Sequence, residues 1–193
     1  MSVVDDIFKL YYEALEEIEV LGTYFEKDMR RYNEKFCKEF FCWMFESLLQ
    51  YSLVEVACVD GRMDAREVVM INKVSRYANI VVISNNVLKT SLEWEDFVDA
   101  DTETIKKWLR DFKAVVLKPL KDSFVPQFAT FDAVKYGDSL GKVRDGISAL
   151  MVLLMHVDDK CGEEEKRAVY DSYVMQTFDE IKQEIDAMQR NRS

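Results

Sequence analysis

The sequence predicts an all-α fold: a helical bundle of about seven or eight helices, with a long N-terminal amphipathic helix and two pseudo-repeated hairpins. Three observations carry this. Glycine (6) and proline (2) are scarce among 193 residues, so the punctuation of a β-fold is missing. The good helix formers Leu, Glu, Lys, Met and Ala abound. Apolar residues recur at steps of three and four along most of the chain, the period of a helix face. With 49% apolar residues, the chain can also bury a sizeable core.

The elements follow in order. Val4, Phe8, Tyr11, Leu15, Ile18, Phe25, Met29 and Tyr32 form one stripe, broken only where Gly22 takes an apolar position. This assigns residues 1–33 to an N-terminal amphipathic helix for packing or oligomerisation, ahead of a helical domain over 34–193. Short loops make intramolecular packing the default for that stripe, with a homodimer seam as the alternative. Residues 34–58 are crowded with Phe36, Phe40, Phe41, Trp43, Phe45, Leu48 and Leu49 and carry few charges after Glu39, the pattern of a helix buried on several sides. After a turn at Asp60-Gly61, the next helix turns Val68, Ile71, Val74 and Ala78 inward. The apolar run Ile80–Ile83 is too short and isolated for a sheet, and Ser84 or Asn85 caps a short helix to about Leu92.

Charge is segregated further on. Residues 93–103 hold six acids and no base, whereas Lys106, Lys107, Arg110, Lys113, Lys118 and Lys121 face only Asp111 over 106–121. Ile105, Trp108, Leu109, Phe112, Val115 and Val116 mark the inner side of that basic helix, so its lysines read as a solvated face. Pro119, Pro126 and Gly137 bound a loop-rich stretch with a single helical turn around Val125 to Val134. A buried helix follows from about Ser139 to Val157. The last runs from about Glu163 to Gln189, with Tyr170, Val174, Phe178, Ile181, Ile185 and Met188 on one side.

Composition excludes several function classes. A net charge of −10 and a pI near 4.8 disfavour nucleic acid and anionic membranes and favour cations or basic partners. The start MSVVDDIFKL lacks the basic and apolar regions of a secretory signal, and no stretch is long and apolar enough for a transmembrane segment. Cys37, Cys42, Cys58 and Cys161 form no C-x-x-C pair and read as free thiols, which together places the chain in the cytoplasm. With His156 as the single histidine and no nucleophile elbow, P-loop or H-E-x-x-H motif, an enzyme is not expected. His156 reads as a partly buried cation closing a helix C-terminus.

One constellation stands out. At residues 57–67 an apolar helix ends in A-C-V-D-G-R-M-D-A-R-E, and residues 157–165 echo it as V-D-D-K-C-G-E-E-E. An internal duplication of a helical hairpin accounts for the shared plan. In these residues the chain resembles the tellurite-resistance TerB-like family, whose hallmark is an apolar helix, an A-D-G-x-I-D-x-x-E turn and a second helix. The resemblance implies an all-helical, non-enzymatic module serving a stress-response or signalling assembly. It also implies acidic turns that hold a divalent metal: Asp60, Asp64 and Glu67, with Asp158, Glu163 and Glu165 in the second turn.

Two readings of those carboxylates follow from chemistry. As hard oxygen ligands they suit Ca²⁺, Mg²⁺ or Mn²⁺. As a capping box, Asp64 accepts from the Glu67 amide and Glu67 from the Asp64 amide, while Gly61 supplies a left-handed residue. The turn is not an EF-hand, because Arg62 would occupy the third loop position and no Glu the twelfth. The expected function is therefore a non-enzymatic module binding a divalent cation or a basic partner through these turns. Its alternative is a structural adaptor that docks a protein partner through the N-terminal helix, with the acidic turns serving only as caps.

Overall fold

The computed structural model describes residues 3–30, 39–74, 100–119, 121–122, 125–135, 137–157 and 162–190. The described residues form an all-α bundle: α1 (Val3–Met29), α2 (Glu39–Ala57), α3 (Ala65–Val74), α4 (Thr102–Pro119), α5 (Val125–Lys135), α6 (Ser139–Leu154), α7 (Glu163–Asp171) and α8 (Tyr173–Arg190). The predicted Ile80–Ile83 run and the short helix to Leu92 lie outside the described residues.

α2 is the axis of the bundle. Phe41, Phe45, Leu48, Leu49, Leu53 and Val54 are all fully buried, and α1, α3, α4, α6, α7 and α8 each pack against this helix. Enclosure on all sides explains why its apolar residues show so little preference for one face. Burying each such Leu, Val or Phe stabilises the fold by about 1.5–3 kcal/mol. Even Glu46, Ser47, Gln50 and Ser52 are buried, and the Ser52 hydroxyl donates to the Leu48 carbonyl at 2.8 Å.

α1 lies along α6, its most extensive neighbour. Tyr11, Ala14, Leu15, Ile18 and Leu21 are buried in the common core, as the predicted stripe requires for Tyr11, Leu15 and Ile18. The two backbones come close where Gly146 faces Ala14: a Cβ on Gly146 would stand 2.5 Å from the Ala14 Cβ and 3.0 Å from the Leu10 carbonyl oxygen. Polar ties flank the seam. Ser139 Oγ donates to Glu17 Oε2 at 2.6 Å, and Lys142 pairs with the same carboxylate. On the far side of α6, Arg144 grips Asp179 of α8 with bonds of 2.7 and 3.1 Å.

Several sequence expectations need correction. Val4 is exposed rather than inward. Lys113 is not on a solvated face: its Nζ sits 3.7 Å over the Tyr173 ring. The stretch from Val125 is a full helix of 11 residues, with Pro126 in the first turn, where its missing N–H costs nothing. The last predicted helix is two. Ser172, with ψ of +128°, leaves helical geometry between α7 and α8, and the resulting change of direction leaves Tyr170 82% exposed. No helix among the described residues is long and apolar enough to cross a membrane.

Candidate functional site

The two acidic turns are built on one device. Beyond α2, backbone bonds from Cys58 to Val54 (3.1 Å), Val59 to Val56 (3.2 Å) and Gly61 to Cys58 (3.1 Å) wind the chain down. Gly61 has φ of +96°, a conformation glycine adopts without steric cost. Asp60 Oδ1 accepts from the Arg62 amide at 3.1 Å. Asp64 caps α3, its Oδ1 accepting from the Arg66 amide at 2.8 Å and Arg66 Nε at 3.1 Å. Glu67 is only 4% exposed, and its Oε2 accepts from the Asp64 amide at 2.6 Å. The capping box thus has its returning arm as expected, while Asp64 reaches the Arg66 amide. Thr102 donates from the start of α4 to the Gly61 carbonyl, seating that helix on the turn.

In the second turn, Glu165 is likewise buried, and its Oε2 accepts from the Gly162 amide at 2.9 Å. Glu67 and Glu165 therefore do the same thing: each satisfies the backbone N–H at a helix start from below. Gly162, with φ of −93° and ψ of 165°, provides the extended entry without a side-chain cap. Glu163 instead points to solvent and pairs with Lys166 at 2.7 Å. Asp158 lies outside the described residues. Among those described, no group of three or more His, Cys, Asp or Glu stands together as a metal site. His156 is exposed, not a partly buried cap.

Nor does a nucleophile emerge there. Burial pushes the Cys58 thiol well above its ordinary range, and the charges of Glu67 and Asp60 push it further; the reactive thiolate is disfavoured. Cys42 and Cys58 are free thiols.

A buried polar knot, which sequence reasoning missed, joins α2, α4 and the α7–α8 break. Tyr51 OH donates to Glu55 Oε1 at 3.4 Å. Burial raises the Glu55 pKa, partly opposed by Ser172, Lys113 and Tyr51. Burial and the Glu55 charge raise that of Tyr51. Its faint trace in the sequence is an i, i+4 Tyr/Glu pair, Tyr51 and Glu55, inside an otherwise largely apolar helix.

Among the described residues, the exposed part of α1 offers an extended surface feature. Phe8, Tyr12, Glu16, Val20 and Tyr24 fall at steps of four along α1, making a single oblique row, or ridge, about 24 Å long that begins at Phe8, partly buried against the core. Tyr12 is 54%, Val20 51% and Tyr24 40% exposed. The rings of Phe8 and Tyr12 lie tilted to one another with centroids 6.4 Å apart, and Tyr24 meets Phe131 of α5 edge-on at 5.2 Å. One open hollow beside the ridge is lined by Asp5, Phe8, Lys9, Tyr12, Glu13 and Glu16. A second is lined by Glu16, Glu19, Val20, Thr23, Tyr24, Phe131 and Lys135. The two meet at Glu16. Neither a protein-family model, a curated protein nor a solved structure matches the chain.

Proposed function

We propose that the protein is a non-enzymatic interaction module that docks a protein partner on the outer ridge of α1, with its acidic turns serving as helix caps. The observation that carries this reading is the ridge itself. Three apolar side chains, Tyr12, Val20 and Tyr24, each about half exposed, share one row of α1 with Glu16 among them, on a helix that buries Tyr11, Ala14, Leu15, Ile18 and Leu21 on its inner side. Such patches mark interaction sites more often than they occur idly. The likeness to the TerB-like family at residues 57–67 suits a helical binding module and adds no ligand of its own. The free thiols at Cys42 and Cys58 suit a reducing compartment such as the cytoplasm.

The cation-binding form of the module is less well supported, because Asp60, Asp64, Glu67 and Glu165 are each engaged by backbone amides. On our reading, Ca²⁺, Mg²⁺ or Mn²⁺ titrated into chelator-treated protein gives no saturable heat. Saturable binding abolished by Asp60→Ala/Glu67→Ala would reinstate it.

The docking claim is tested by placing a photo-crosslinking amino acid at position 12, 20 or 170 of the full chain in its native cells. Adducts at 12 and 20 but not at 170 are expected. Equal yields at all three, or none at 12 and 20, would remove the ridge from the account.

A further inference from the structure

We infer that the occupant of the α1 ridge is a basic amphipathic helix, an inference that rests on the docking role proposed above and specifies the partner's chemistry. Charge complementarity decides among the candidates. Asp5, Glu13, Glu16 and Glu19 flank the exposed apolar positions. Against these four acids the two hollows present two bases, Lys9, which pairs with Glu13 at 3.7 Å, and Lys135, which lies 5.3 Å over the Tyr24 ring, so the lining stays net negative. Glu16 is central: it stands on the ridge line between Tyr12 and Val20, where the two hollows meet, and is exposed. An apolar stripe with one acid in its middle selects a partner stripe with a Lys or Arg at the matching place.

A second copy of this chain fits poorly. Each copy carries a net charge of −10, and a two-fold contact across the ridge would bring Glu13, Glu16 and Glu19 against their own equivalents. An anionic lipid surface meets the same repulsion. A helix, by contrast, is the shape a four-residue ridge receives, since rows at that spacing interdigitate between two helices. The ridge from Phe8 to Tyr24 spans four to five turns, so the partner segment is about 16 residues long. Anchors at its i, i+4 positions would fill the hollows beside Tyr12 and Val20.

The test titrates the full-length protein with a synthetic peptide of about 18 residues, Leu on one helical face and Lys on the other with one Lys set among the leucines, against a scrambled peptide of equal charge. Saturable one-to-one binding, weaker by about tenfold or more in Tyr12→Ser/Val20→Ser, is expected. Glu16→Lys should weaken it comparably, with recovery when the central Lys of the peptide becomes Glu. Tyr170→Ser, exposed elsewhere, should leave it unchanged. Equal binding of the scrambled peptide, or full affinity in the ridge variant, would overturn the inference by showing attraction to overall charge. A concentration-dependent dimer that Tyr12→Ser/Val20→Ser dissolves would overturn it in favour of a second copy, with the docking face intact. Loss of the crosslinks at positions 12 and 20 would instead overturn the docking role itself, so the two failures are distinguishable.

Discussion

The two sides of α1 both carry apolar residues and end in opposite states. Toward the bundle, Tyr11, Leu15, Ile18 and Leu21 are sealed against α2 and α6, and Gly146 gives way so that Ala14 can close the seam. Outward, Tyr12, Val20 and Tyr24 also carry apolar surface, yet about half of each meets solvent. One face has spent its apolar surface on folding; the other has kept it. Hydrophobicity alone thus does not decide which residues of α1 are buried; what decides it is which side the neighbouring helices occupy.

The comparison can be broken from the inside first. Ile18→Ala removes a fully buried side chain and should cost about 2–5 kcal/mol, read as a lower denaturant midpoint. Gly146→Ala should destabilise by about 1–3 kcal/mol in the same assay, despite the better helix propensity of alanine, because the added methyl meets Ala14 and the Leu10 carbonyl. Equal or greater stability would mean that the α1–α6 seam is looser than described.

The edge between the two faces gives a smaller, pH-dependent effect. Burial alone would raise the Glu17 pKa, but hydrogen bonds from Lys142 and Ser139 and the charge of Lys142 hold it below the ordinary value. The native state therefore binds fewer protons there than the unfolded chain, so stability rises with pH across that window. The contribution is present above the ordinary carboxylate range and lost as pH falls through the lowered value. For so solvent-accessible a pair it amounts to less than about 1 kcal/mol. Urea melts of Glu17→Gln at neutral pH and below pH ~3 should differ from the unaltered protein only at the higher pH. At the outer face, Tyr12→Ser/Val20→Ser should change stability by no more than about 0.5 kcal/mol per site.

Much of the bundle was legible in the sequence because period and burial agree there. Tyr11, Leu15 and Ile18, the apolar α2, and Val68, Ile71 and Val74 of α3 all face inward as their spacing requires. Spacing misled at Val4, which extends the inward stripe by a step of four yet is exposed, whereas Phe8 packs partly buried against the core. The α7–α8 break was hidden because a lone serine, without Gly or Pro, turns the chain, and Tyr170 swings out with it. The acidic turns were legible as caps because a Glu after an Asp or Gly at helix-start spacing has a local partner within reach. Whether two such turns share an ion depends on tertiary placement that no local pattern encodes.

The claim that α1 folds with one face and binds with the other is tested most directly in a single variant. With a photo-crosslinker at position 23, in the hollow beside Val20, the Tyr12→Ser/Val20→Ser protein should melt with the unaltered chain and lose its partner adduct. An adduct that persists, or a melting temperature that falls as far as with Ile18→Ala, would contradict it.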